Sequence, residues 1–88
     1  MKTTFRNSFL KDLKAVRNKQ LLSRLKEVID TVEKADVLTN LQNLKQLKGQ
    51  KNYYRVRLGE YRVGLCLEGG AVTFVRFLHR REIYRYFP

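Results

Sequence analysis

The apolar residues of this chain change their spacing once, at Tyr53. Before this point they recur at helical intervals, most clearly in the stripe of Leu21, Leu22, Leu25, Val28, Ile29 and Val32. From Tyr53 onwards apolar and polar residues alternate, as they do along half-buried β-strands. A helix or a sheet with one apolar face must bury that face against another element. The change of spacing therefore predicts an α+β fold, with helices packed on an antiparallel sheet.

The first half of the chain predicts one strand and a helical pair. Residues 2–5 favour a short strand. Two amphipathic helices follow, the first capped by Ser8 and the second ending near Ala35, with a polar break over 17–20. They form either a helical hairpin or one long bent helix. The segment 36–47 is ambiguous, because its apolar residues fit either a short helix or an extended wrap over the core.

The second half predicts a three-stranded meander. Two tight turns, at Gly59-Glu60 and Glu68-Gly69-Gly70, divide it into strands over 53–58, 61–67 and 71–78. Residues 81–87 are expected to form a short C-terminal helical turn. With 88 residues, the chain has the size of one small domain, spanning 1–88.

The formal charge of +11 indicates a polyanionic partner, because such an excess repels itself in a compact state. Nucleic acid and an acidic protein are both compatible with it, and they are compatible with each other if they compete for one surface. A membrane surface is less favoured, since no segment joins a basic face to a long apolar one. The N-terminus lacks the apolar core of a signal peptide, and no apolar run approaches the ~20 residues that span a bilayer. We therefore expect a cytoplasmic protein.

Cysteine content limits the possible chemistry. Cys66 is the single cysteine, so no intramolecular disulfide can form and no zinc-ligand set is present. It lies inside an apolar run, which predicts a small buried hydrophobe rather than a reactive thiol. We expect neither a metal nor a cofactor.

Arginines are expected to converge on one face of the sheet. Side chains alternate along a strand, so Arg55, Arg57 and Arg62 share the face that points away from the helices. Gly64 and Cys66 are small and are expected to leave this face hollow. A solvated sheet face is the simple interpretation of one exposed arginine. Several arginines with few carboxylates favour binding of phosphate or RNA.

Two segments of the chain resemble the RelE/ParE toxin superfamily. One is Leu47-Lys48-Gly49 together with residues 54–63, and the other is His79-Arg80-Arg81-Glu82-Ile83-Tyr84. The order of predicted elements is also similar over almost the whole chain. The RelE-like members are mRNA interferases that cut mRNA in the ribosomal A site and are silenced by a cognate antitoxin. The resemblance implies this activity and both partners, the antitoxin and ribosome-bound mRNA.

The resemblance also implies residue roles. Arg55 and Arg57 match cationic positions that line the mRNA, Arg62 and Arg80 match the arginines that bind phosphate and stabilise the transition state, and Tyr84 matches a catalytic tyrosine. The implied catalytic set is Arg57, Arg62, Arg80 and Tyr84. The residues predicted to bind RNA are Lys48, Lys51, Arg55, Arg76, His79 and Arg81. RNA supplies its own 2′-hydroxyl nucleophile, so this reaction requires no metal.

Arginine is a poor general base, so Arg57 cannot replace a lysine that acts as one in the family. Tyr84, His79 and Glu60 are the candidate proton acceptors. Three other functions remain open: inhibition of DNA gyrase, as in the ParE branch; binding of RNA or antitoxin without catalysis; and a basic nucleic-acid-binding domain that is not toxic.

Overall fold

A computed structural model describes residues 1–88, which form five strands and three α-helices. In chain order these are β1 (Lys2–Phe5), α1 (Asn7–Ala15), α2 (Lys19–Lys34), β2 (Leu44–Gln46), β3 (Tyr53–Leu58), β4 (Tyr61–Glu68), β5 (Ala71–His79) and α3 (Ile83–Tyr86). One turn of 3-10 helix, Leu38–Asn40, precedes β2. None of the helices is long and apolar enough to cross a lipid bilayer.

The five strands form one mixed sheet in the order β1-β5-β4-β3-β2. The antiparallel meander of β3, β4 and β5 confirms the prediction from alternation, and each strand bound agrees to within one residue. At one edge β1 runs parallel to β5, with Thr3 opposite Val72. At the other edge β2 runs antiparallel to β3, with Leu44 opposite Val56. The predicted α+β fold is confirmed, and its sheet is larger than the meander alone.

The predicted cap and break of the helical pair need correction. Helix α1 begins at Asn7, so Ser8 is not its N-cap; the Ser8 hydroxyl instead donates a hydrogen bond to the Val75 carbonyl at 2.6 Å. The break between the helices is shorter than predicted and covers residues 16–18. Asn18 ends it because its side-chain oxygen accepts a hydrogen bond from the Leu21 amide at 3.0 Å, which caps α2.

The main core lies between the helices and one face of the sheet. Phe9 of α1 and Leu25 of α2 pack with Val63, Phe74 and Phe77 of the sheet, all of them buried. Phe74 and Phe77 are thus core residues. Burial of one such side chain contributes about 1.5–3 kcal/mol.

A second apolar cluster covers part of the opposite sheet face, so the prediction that this face is hollow was wrong. Cys66, Val75, Ile83 and Phe87 form it, because the end of the chain folds back over β4 and β5. A Cβ atom at Gly64 would lie 2.7 Å from two ring carbons of Phe87. Cys66 is buried as predicted, and burial raises the pKa of its thiol, as does the hydrogen bond that it donates to Glu68.

Candidate nucleic-acid interface

The β3–β4 hairpin places arginines side by side on the face away from the helices. Arg57 stands directly opposite Arg62, and Arg55 stands opposite Gly64. This convergence was predicted from side-chain alternation. Like charges directly opposite each other destabilise a sheet pair, so the arrangement is unfavourable in the absence of an anion.

Arg57 and Arg62 border an open depression of about 480 Å³ at the end of the hairpin. No hydrophobic residue lines it; the lining residues are Arg24, Asn43, Arg57, Gly59, Glu60, Arg62 and Arg80. Glu60 is the one carboxylate among four arginines. A surface with this charge and without apolar lining suits a phosphate-bearing ligand better than an apolar one.

Arg62 is held firmly at the floor of the site. Its Nη1 donates hydrogen bonds to the carbonyl oxygens of Gly59 and Tyr61, both at 2.9 Å. Burial lowers the pKa of the Arg62 guanidinium, and the charge of Arg55 lowers it further, while Tyr84 acts in the opposite direction. Arginine remains protonated in proteins even so. Arg62 is therefore a fixed and partly desolvated cation, which an anion would stabilise.

Arg80 joins the site from the end of β5. Its backbone amide donates to the Glu60 carbonyl at 2.8 Å, and its Nε lies 2.6 Å from a carboxylate oxygen of Glu60. The side chains of Arg80 and Glu60 are 54% and 66% exposed. An ion pair this exposed contributes little to stability, so a phosphate can replace Glu60 at small cost.

Tyr84 stands near these cations on the short helix α3. Ile83 and Phe87 on either side of it are buried in the second apolar cluster and fix the helix on the sheet. The Tyr84 side chain is nevertheless exposed, at 58%. Its ring is thus positioned by its neighbours and remains open to contact with a ligand.

His79 and Arg81 do not line the depression. His79 packs edge-on against Tyr61, at 5.7 Å between ring centres, and Tyr61 belongs to the core on the helical side of the sheet. Nδ1 of His79 accepts a hydrogen bond from the amide of Arg81, whose own side chain is exposed. The structure therefore separates His79 from the arginine face, although the two are close in sequence.

The other residues predicted to bind RNA are also spread out. Arg76 is engaged by Asp12, with Nε–Oδ2 at 2.8 Å and Nη2–Oδ1 at 3.0 Å. Lys48 and Lys51 lie in the loop between β2 and β3, outside the depression. Arg55 reaches the Asn43 carbonyl at 3.5 Å, and its buried Nε has no hydrogen-bond partner.

Two lining residues were missed by the sequence analysis. Arg24 comes from α2, where an exposed cation looks like ordinary solvated helix surface. Asn43 precedes β2 and has a φ of 64°, a left-handed conformation that asparagine tolerates. Its carbonyl accepts the Arg57 amide at 3.1 Å. Asparagine is a residue type that tolerates the left-handed conformation, which was the only sequence indication for Asn43. Segment 36–47 fits either a short helix or an extended stretch, so its position in the fold could not be predicted.

Comparisons with known proteins agree in fold and over nearly the full length. The profile of the family described as ParE toxin of type II toxin-antitoxin system, parDE, matches residues 4–84. Toxin RelE3 of Methanocaldococcus jannaschii is 42% identical over 89 residues, covering 100% of both chains.

Solved structures give the same result. A chain of the RelB-RelE antitoxin-toxin complex from Methanococcus jannaschii superposes with a TM-score of 0.82 and 41% identity, covering 97% of this chain and 99% of that chain. The archaeal RelE-RelB complex from Pyrococcus horikoshii shares the fold, with a TM-score of 0.73 and 22% identity over 93% of this chain and 97% of that one.

Proposed function

The chain belongs to the ParE toxin family and is a toxin of a type II toxin–antitoxin system, and from this premise we propose that it is a ribosome-dependent mRNA interferase. One observation carries the proposal: Arg57, Arg62 and Arg80 meet in a depression without apolar lining. Tyr84 stands exposed close by. These four residues are the predicted catalytic set, and three of them line the depression.

The reaction that fits this site is cleavage by the RNA itself. The 2′-hydroxyl attacks the adjacent phosphorus, the bond to the 5′-oxygen breaks, and a 2′,3′-cyclic phosphate or its hydrolysis product remains. Negative charge builds up on the phosphorane oxygens as this happens. Arg62 and Arg80 are suited to stabilise that charge, because fixed cations aimed at a developing charge supply the largest part of many rate enhancements.

Tyr84 and Glu60 complete the proposed site. The exposed ring of Tyr84 can stack on a base and hold the nucleotide in line. Glu60 lines the depression, whereas His79 lies on the other side of the sheet. Of the three candidate proton acceptors, Glu60 thus has the position for taking the 2′-hydroxyl proton.

A cognate antitoxin is the second proposed partner. The relatives were solved as RelB-RelE and RelE-RelB complexes. A charge of +11 suits an acidic partner that competes with RNA. Because the substrate is mRNA on the ribosome, we place the activity in the cytoplasm.

The test is cleavage on programmed ribosomes with a defined codon in the A site, with the mRNA ends mapped by primer extension. We expect cuts that require the ribosome and that fall at least about 10²-fold in Arg80→Ala, since one transition-state cation is lost. Arg17→Ala removes the same charge at an exposed position that does not line the depression and should cleave at the wild-type rate.

Other outcomes point to the alternatives. If folded Arg80→Ala cleaves at the wild-type rate, the site assignment is wrong. Gyrase-linked DNA breaks without mRNA cleavage would favour gyrase inhibition, and RNA binding without cleavage would indicate a non-catalytic module.

A further inference from the structure

Arg24 is a cation that the proposed reaction does not use. It projects from α2 to the β3–β4 turn, where its Nη1 lies 3.4 Å from the position that a Cβ atom on Gly59 would occupy. It takes part in none of the three ion pairs of the chain, and its guanidinium makes no hydrogen bond to another residue.

Arg57 shares this unpaired state. Its side chain also lacks an ion pair and a hydrogen bond, although it lines the same depression. The carboxylate of Glu60 is engaged by Arg80, so it does not neutralise either residue. Two unpaired guanidiniums therefore remain on the side of the depression that faces α2.

We propose that Arg24 and Arg57 bind a second phosphate of the RNA strand, next to the scissile phosphate held by Arg62 and Arg80. This inference rests on the proposed function. Directly opposed residues such as Arg57 and Arg62 have Cβ atoms about 4.5–5.5 Å apart, and their long side chains reach neighbouring phosphates of one strand. Arginine forks bind such oxygens in pairs, which adds geometric specificity to the charge.

The lining of the depression favours RNA over an acidic peptide at this position. A peptide that folds onto the protein needs apolar surface to bury, and none of the residues that line the depression is hydrophobic. Arg24 and Arg57 also border an adjoining groove that contains Val28, Leu41, Val56 and Leu58, so an acidic peptide is expected in that groove and RNA in the depression. Tyr84 nearby offers an exposed ring for a base, which a nucleic acid uses and an acidic peptide does not.

The experiment measures binding without cleavage. A short fluorescein-labelled RNA with 2′-O-methyl groups lacks the nucleophile, and its affinity is followed by anisotropy over a range of salt concentrations. Each phosphate neutralised on a single strand contributes about −0.7 to the slope of log K against log[salt]. Arg24→Ala should bind more weakly and lower the steepness of that slope by up to about 0.7, because Arg57 still neutralises part of the shared phosphate charge. Arg24→Lys keeps the charge and should restore the slope, and Arg17→Ala should leave it unchanged.

The outcomes separate this inference from the proposed function. A wild-type slope in Arg24→Ala, or no binding by the wild-type chain at low salt, overturns the second phosphate position even if ribosomes support cleavage. The expected slope change without cleavage refutes the interferase and retains the phosphate position. If Arg24→Ala loses binding of polyglutamate and keeps its RNA slope, the surface belongs to an acidic peptide and the inference is wrong.

Discussion

Glu60 is expected to weaken substrate binding and to assist the chemical step. Its carboxylate holds Arg80 at 2.6 Å in the place where the proposed mechanism puts a phosphate oxygen. It therefore competes with the substrate for the cation that the substrate needs. If it also accepts the 2′-hydroxyl proton, the competition is the cost of keeping a base beside the scissile bond.

Glu60→Gln separates the two roles. The amide keeps the shape and loses the charge, so we expect tighter binding of the 2′-O-methyl RNA and cleavage that is about 10²-fold slower, as expected when a general base is lost. Anisotropy and programmed-ribosome cleavage measure the two effects on one protein. Tight binding combined with wild-type cleavage would show that another group takes the proton.

Gly64 is constrained by the ring that covers it. Gly64→Ala places a methyl group 2.7 Å from ring carbons of Phe87, so the ring must shift within the cluster that also holds Ile83 of α3. We expect a loss of about 1–3 kcal/mol in the free energy of unfolding, the usual cost of overpacking, measured by urea denaturation. Cleavage should fall as well.

A compensating variant checks this explanation. Phe87→Leu removes ring atoms from the crowded position, so it should destabilise the wild-type chain but recover part of the stability of Gly64→Ala. Additive losses in the double variant would mean that the two side chains do not clash.

At the scale of the elements, Asp12 fastens α1 to β5. One carboxylate binds the guanidinium of Arg76 and also accepts the Phe77 amide at 2.9 Å. The Asp12 side chain is 9% exposed. The irregular register of β5 against β4 lies beside this contact, between Gly64 and Leu65. Asp12 thus satisfies the backbone of a strand where the ladder is disturbed.

We expect Asp12→Ala to lower the free energy of unfolding by about 2–3 kcal/mol, because it leaves Arg76 and an amide without their partner. A double-mutant cycle with Arg76→Ala should give a strong favourable coupling. Since Arg76 is engaged by Asp12, Arg76→Ala should also leave the salt slope of RNA binding unchanged. A reduced slope would instead support the sequence prediction that Arg76 contacts RNA.

Elements with a local signal were predictable, and those formed by distant pairing were not. The turn at Gly59-Glu60 and the alternation on either side of it determine β3 and β4 from neighbouring residues alone. Strand β2 has only three residues, and the spacing of Val37, Leu41 and Leu44 also fits a helix. It is a strand because it pairs with β3, and no local sequence pattern indicates this pairing.

Residues of the candidate site were likewise predictable only where a local pattern or the family resemblance indicated them. Arg57 and Arg62 follow from strand alternation, and Arg80 and Tyr84 follow from the resemblance. Arg24 was not predictable, because its role depends on where α2 crosses the hairpin. His79 was predicted to bind RNA from its place in the sequence, but it packs against Tyr61 and does not line the depression.

At the scale of the whole molecule, the net positive charge is the main electrostatic influence on stability. The formal net charge is +11, and the chain has only three ion pairs, of which the Arg85–Glu82 pair is long, at 3.8 Å. Self-repulsion therefore outweighs attraction between surface charges in the folded state. Any anion that binds the native chain will stabilise it.

We expect added salt to stabilise the protein, because screening weakens repulsion more than it weakens these few pairs. The urea midpoint should rise between low and moderate NaCl with an unchanged m-value. Phosphate at equal ionic strength should raise it further, through specific binding in the depression. A midpoint that falls with salt would show that attractive pairs dominate.

The position of β5 between β1 and β4 determines when, during synthesis, the fold can form. β1, the first strand to leave the ribosome, has its partner in residues 71–74, and Ser8 and Asp12 also bind to β5. Distant pairing of this kind waits for the last part of the chain to be synthesised. A ribosome that translates this toxin has therefore made most of the chain before Arg24 of α2, Arg57 of β3 and Arg80, which follows β5, meet. Under the proposed function, the site therefore assembles only late in synthesis, and an antitoxin that is already present can meet the chain before the site is complete.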